Sequence, residues 1–165
     1  MEQLSRSSTR VADELTRLGV DHDVRHMPDS TRTAPEAAAA VGCDVAQIVK
    51  SLIFRAVDAD AAILVLVSGA DRVDESRLAA VVGDQVERAT ADFVRARTGF
   101  AIGGVPPLGH TGPVATYIDE NLLGYDLVWA AAGTPNAVFS IKPGDLARIT
   151  SAKVVAVAAG GGAGS

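Results

Sequence analysis

Leu4, Val11, Leu15 and Leu18 fall at helical spacing, and Gly19 is placed to stop that helix. A short polar strand is expected over residues 21–27. Thr33-Ala34-Pro35-Glu36 has the spacing of a capping box with proline in the first turn, so a short helix follows to Val41 and ends at Gly42. Asp44-Val45-Ala46-Gln47 repeats that signature and starts a brief turn. Residues 48–57 and 61–68 are apolar on both faces, as central strands are, and the short link between them suits a hairpin.

The second half carries shorter elements. Asp74 caps a helix to Val82, closed by Gly83, and a short strand follows over 86–89. Thr90 caps a helix through Arg97, and strands are predicted at 100–102, 114–118, 127–131 and 137–141. Pro143-Gly144-Asp145 leads into a helical turn over 146–149, with a last strand at 154–157. Short strands with scattered helices predict an α/β (α+β) mixed sheet, and the irregular order disfavours a doubly wound fold. Residues 1–157 are expected to form one domain, with a disordered glycine- and alanine-rich tail over 158–165.

Composition narrows the setting. Hydrophobic residues make up 48% of the 165, which argues against general disorder. No apolar run reaches the roughly 18 residues that span a bilayer, and the first residues do not resemble a secretory leader. A single cysteine, Cys43, permits no internal disulfide, so a cytoplasmic location is expected. The net charge of −5 limits any nucleic-acid contact to a local one, such as a strand end.

Chemistry concentrates in two places. In the loop Phe100-Ala101-Ile102-Gly103-Gly104-Val105-Pro106-Pro107-Leu108-Gly109-His110, two prolines stiffen the chain and the glycines admit close approach to the backbone. The amides of Gly103, Gly104 and Val105 can converge on a developing negative charge; the alternative is a proline-rich turn leaving a strand. Lys50 lies on an apolar strand and shares a face with Ile48, Leu52 and Phe54. It either aims its ammonium into a pocket or snorkels to water along its stem. His110 closes the loop, facing a substrate or solvent, while His22 and His26 read as surface residues. Cys43 has no activating histidine nearby and reads as a packing residue. Asp119 either orients Lys50 or His110, or caps the turn at 120–123.

Three segments together resemble the YbaK/EbsC family, itself similar to the editing domain inserted in bacterial prolyl-tRNA synthetases. They are Thr33–Ala38, Gln47-Ile48-Val49-Lys50-Ser51-Leu52-Ile53-Phe54, and Thr98-Gly99 with the proline–glycine loop to His110. The resemblance runs from about Thr33 to Ile149 and implies one mixed α/β domain with a curved, barrel-like sheet. It implies hydrolysis, in trans, of the ester of a mischarged tRNA, with tRNA-Pro carrying a small amino acid as a candidate. Lys50, Gly103, Gly104 and Asp119 are then the implied catalytic residues. Ser51, Val105, Pro106, Pro107, Gly109, His110, Gly133 and Thr134 are the implied substrate-binding ones. The tRNA acceptor end is the expected partner, with a synthetase as a further candidate.

Such chemistry needs no metal or cofactor, since an aminoacyl ester is already activated and requires only positioned water and donors for the oxyanion. One departure concerns 131–136, where Ala-Ala-Gly-Thr-Pro-Asn replaces the serine and basic stretch of some relatives. The competing functions are a non-catalytic module that binds an aminoacyl group or nucleotide, and hydrolysis of another small ester or amide.

Overall fold

Local side chains set where the helices begin. Thr33 Oγ1 accepts from the Glu36 amide, and the Glu36 carboxylate accepts from the Thr33 amide, the reciprocal box that the spacing predicts. Asp74 takes the amides of Ser76 and Arg77, and Thr90 takes that of Phe93. Each cap satisfies amides that a first helical turn leaves unpaired.

The computed structural model describes residues 6–20, 23–28, 30–31 and 33–159. Leu4, Asp21, His22 and the last six residues, which carried expectations of a helix, a strand, a surface histidine and a tail, lie outside these. The order is α1 (Arg6–Arg17), β1 (Arg25–His26), α2 (Ala34–Val41), β2 (Val49–Ala56), β3 (Ala61–Ser68), α3 (Glu75–Val82), β4 (Val86–Arg88) and α4 (Ala91–Thr98). The chain continues through β5 (Ala115–Asp119), β6 (Val128–Ala131), β7 (Ala137–Ile141), α5 (Pro143–Thr150) and β8 (Lys153–Val155). Among the described residues no helix is long and apolar enough to cross a membrane.

The strands form a mixed sheet in the order β4-β2-β3-β5-β8 and a second sheet in the order β1-β7-β6. The hairpin of β2 and β3 runs in register from Val49↔Ser68 to Ala56↔Ala61. β5 lies parallel to β3, with the crossover supplied by the segment carrying α3, β4 and α4. Among the described residues the two sheets meet at one parallel bridge, Ile48↔Trp129. Beyond that bridge β2 and β6 are no longer paired, so the expected barrel-like closure is replaced by two sheets with an opening between them.

One face of the larger sheet packs Val49, Ile53, Leu64 and Leu66 against Val11 and Leu15 of α1, Val94 of α4 and Phe139 of β7. The opposite face buries Phe54, Ile63 and Val65 under Leu78 of α3, Val155 and Val157. A third group, Ala37, Ala38, Ile48, Trp129 and Val138, seats α2 over the junction of the sheets.

Two expectations need correction. Residues 100–102 are no strand: Gly104 N–H closes a turn on the Ala101 carbonyl at 3.0 Å, which ends any ladder there. Ala158 and Ala159, expected in the tail, are paired: Ala158 bridges Val73, and Ala159 N–H donates to the Arg72 carbonyl at 2.7 Å. Asp119 anchors that segment. Its buried carboxylate accepts from the amides of Asn121, Val157 and Ala158 at 3.1, 2.9 and 3.1 Å. Replacing Asp119 by alanine removes the acceptor of all three amides, so the unfolding free energy is expected to fall by about 2–4 kcal/mol. Urea denaturation checks this as a lower midpoint with an unchanged slope.

Candidate functional site

A cleft of about 470 Å³ opens where β2 runs out of a neighbour. It is bounded by Val49 to Ile53 of β2, Thr33 to Pro35 at the start of α2, Arg88 and Ala89, the turn at Ile102 and Gly103 with Val105, and Trp129 to Ala131 of β6. Its geometry follows from strand alternation. Gly69 N–H donates to the Ile48 carbonyl at 2.7 Å, so even-numbered residues of β2 turn their main-chain groups toward β3. Ala89 N–H donates to the Ile53 carbonyl at 3.2 Å and Val57 N–H to the Gln85 carbonyl at 2.8 Å, so odd-numbered residues turn theirs to the other edge. Ser51 belongs to the odd set, yet the register of β4 ends at Phe54↔Arg88. Its N–H and C=O therefore face the cleft, and its Oγ is buried with no partner among the described residues.

Lys50 points to the opposite face of β2, the face of Leu52 and Phe54. Its Nζ donates to the backbone carbonyl of Asp71, and the Asp71 carboxylate accepts from Asn121 Nδ2 at 3.1 Å. The ammonium is thus tied to a backbone carbonyl, and the half-buried residue also lines the cleft. Burial pulls the Lys50 pKa below the usual lysine range. Repulsion by Arg88 and Arg72 pushes the same way, and Asp71 opposes them. Lys50 and Arg88 bring positive charge to the cleft, and among the described residues no acidic side chain lines it.

The glycine loop forms the facing wall. Gly103 sits at the third position of the turn with φ of 92°, a conformation that favours glycine. The turn takes the Gly104 amide, which is therefore not a donor for a ligand. Among the described residues the amides of Gly103 and Val105 have no protein acceptor. Gly104 is needed for packing instead: a Cβ there would lie 2.9 Å from the Thr134 carbonyl carbon and 3.0 Å from its Cα.

The rest of the proline segment is fastened from behind. Arg10 donates through Nε and Nη2 to the Gly109 carbonyl at 2.9 and 2.7 Å, and its guanidinium lies 4.8 Å from the Phe100 ring centre. His110 donates through Nε2 to the Pro106 carbonyl at 2.8 Å and meets Phe100 edge-on. Burial pulls the His110 pKa down, which favours the neutral ring in this role.

The structure thus brings Lys50, Ser51, Gly103 and Val105 around one space. Gly104, Pro106, Pro107, Gly109, His110, Gly133 and Thr134 do not line it and support the loop or the turn against which it packs. Asp119, expected beside Lys50 or His110, is committed to three backbone amides, as the capping alternative required. Sequence reasoning missed Arg88, Trp129 and the half-exposed Ile102 at the lip. Arg88, next to the predicted end of its strand, carried the one available signal, since a cation there stands beside whatever the strand leaves uncovered.

The aminoacyl-tRNA editing domain family matches residues 28–149, a span holding every element that bounds the cleft. A solved structure of a candidate trans-editing enzyme for prolyl tRNA synthetase is 48% identical and covers 96% of this chain and 100% of its own, with a TM-score of 0.90. A structure from work on epitope backbone grafting onto scaffold proteins is 45% identical, covers 95% and 99%, and has a TM-score of 0.88. The uncharacterized protein YwhH of Bacillus subtilis (strain 168) is 28% identical over 144 residues, 87% of this chain and 91% of its own. With the match spanning Lys50 and the glycine loop, the chain belongs to the aminoacyl-tRNA editing domain family, the YbaK-type group that its sequence resembles.

Proposed function

We propose that this protein is a trans-acting deacylase that hydrolyses the ester of a mischarged tRNA, with tRNA-Pro bearing a small amino acid as the first candidate. One observation carries the reading: Gly103 and Val105, whose amides have no protein acceptor among the described residues, line one cleft together with Ser51 and Lys50.

Water adds to the ester carbonyl carbon, and the negative charge that develops on the carbonyl oxygen is met by the Gly103 and Val105 amides. Collapse breaks the bond to the ribose oxygen, which takes a proton as the free amino acid leaves. The vicinal ribose hydroxyl is in place to pass that proton, so no side-chain triad is required. A fixed turn serves this better than a mobile one, because its donors need no reorganisation as charge develops. Lys50, Arg72 and Arg88 give local positive charge beside the cleft of a chain whose net charge is −5, which suits contact with the acceptor end alone. The apolar walls of Val49, Ile53, Val105 and Ala130 limit the acyl side chain by shape.

A panel of tRNAs charged with alanine, cysteine, serine and threonine tests the reading with the purified full chain. Deacylation of at least one mischarged tRNA-Pro is expected, with Lys50→Ala lowering kcat/KM roughly 100-fold and leaving the thermal midpoint within a few degrees. No turnover of any member would replace the enzyme by a binding module. Turnover of simple esters unaffected by tRNA would point to another hydrolase.

The pH dependence follows from Lys50. Its pKa is lowered in the folded protein, so activity that needs the ammonium is present at lower pH and is lost as pH rises through that lowered value. Asp71 is the group that favours the ammonium, so Asp71→Asn is expected to move the alkaline limb of kcat/KM to lower pH. Stopped-time deacylation between pH 6 and about 10 measures the limb; a shift to higher pH would contradict this assignment.

A further inference from the structure

We propose that the strand edge at Ser51 is the subsite for the free α-amino group of the aminoacyl moiety, and so separates aminoacyl from N-acylated substrates. The inference rests on the deacylase reading, whose substrate carries that amine. Three observations carry it. The N–H and C=O of Ser51 point away from β3 into a stretch where neither β4 nor β6 pairs with β2. Among the described residues Ser51 Oγ is buried without a partner, a state that costs free energy unless a ligand fills it. In β6, Ala132 N–H donates to the Ala137 carbonyl at 2.9 Å, which assigns even-numbered main-chain groups to β7 and turns those of Ala131 toward the same opening.

The cleft therefore offers main-chain carbonyls on two sides and a hydroxyl that can donate or accept. A primary amine matches that set: its N–H bonds go to the carbonyls, and its lone pair accepts from Ser51 Oγ–H. The charges near this edge are Lys50, Arg88 and Arg72, with the Asp71 carboxylate hydrogen-bonded to Asn121, and no carboxylate lines the cleft among the described residues. The surroundings thus favour the neutral amine over the ammonium. An N-acylated residue has no such lone pair and adds bulk where Ala130 and Ala131 close in, so peptidyl-tRNA is spared.

The test uses three non-hydrolysable probes on isotope-labelled full-length protein, read by amide chemical shifts. They are alanyl, propionyl and N-acetylalanyl groups, each amide-linked to 3′-amino-3′-deoxyadenosine. The alanyl probe is expected to bind about tenfold more tightly than the other two and to shift the Ser51 amide, with Ser51→Ala reducing the preference to about threefold. Ser51→Thr, which restores the hydroxyl, should recover it. Equal affinity for the alanyl and propionyl probes, binding of none, or an undiminished preference in Ser51→Ala overturns the subsite, whatever the deacylation assay gives. A preserved amine preference with no deacylation of any tRNA leaves the subsite standing and removes the enzyme.

Discussion

A pairing that β2 does not make shapes this molecule. Its other edge is fully bonded to β3, and its outer edge is taken by β4 at one end and touched by β6 at the other, which leaves Ser51 between them. Unpaired main-chain groups in a sheet interior are costly unless something satisfies them. Here they border a cleft, so the fold leaves polar groups waiting inside an apolar wall. The opening exists because, among the described residues, the second sheet joins the first at a single bridge, Ile48↔Trp129, instead of closing into a barrel.

The facing wall must stay fixed if its amides are to serve a developing charge. Rigidity comes from several directions. Gly104 packs its backbone on Thr134, Arg10 of α1 holds the Gly109 carbonyl, and His110 holds that of Pro106. The prolines stiffen the segment but stand outside the cleft, so their work is structural. Lys50 is held in a comparable way, through Asp71 and then Asn121, which follows the Asp119 cap. That chain of contacts links the C-terminal residues Val157 and Ala158 to the lysine without placing either near the substrate.

What the sequence made legible is local. The caps at Thr33, Asp74 and Thr90, the hairpin of β2 and β3, and the pairing of Lys50 with Gly103 that the cleft lining repeats depend on neighbours within a few positions or on a motif. The misreadings share a cause. Phe100–Ile102 has strand composition, but a turn closed by the Gly104 amide is decided by the packing of Gly104 on a segment thirty residues away. Asp119 caps the turn as one of its two readings had it, but the further amides on its other oxygen come from Val157 and Ala158, too far along the chain for a local pattern to show. No pattern in β2 itself tells which of its residues lacks a strand opposite, and so the main-chain role of Ser51 emerges only from the topology.

The most direct measurement is a crystal structure of the full chain with the alanyl amide of 3′-amino-3′-deoxyadenosine bound. The amide carbonyl oxygen is expected within hydrogen-bonding distance of Gly103 or Val105 N–H, with the methyl side chain against Val49, Ile53 and Ala130. A ligand seated outside the space between β2 and the Ile102–Val105 turn, or one whose carbonyl meets no main-chain amide, would contradict it.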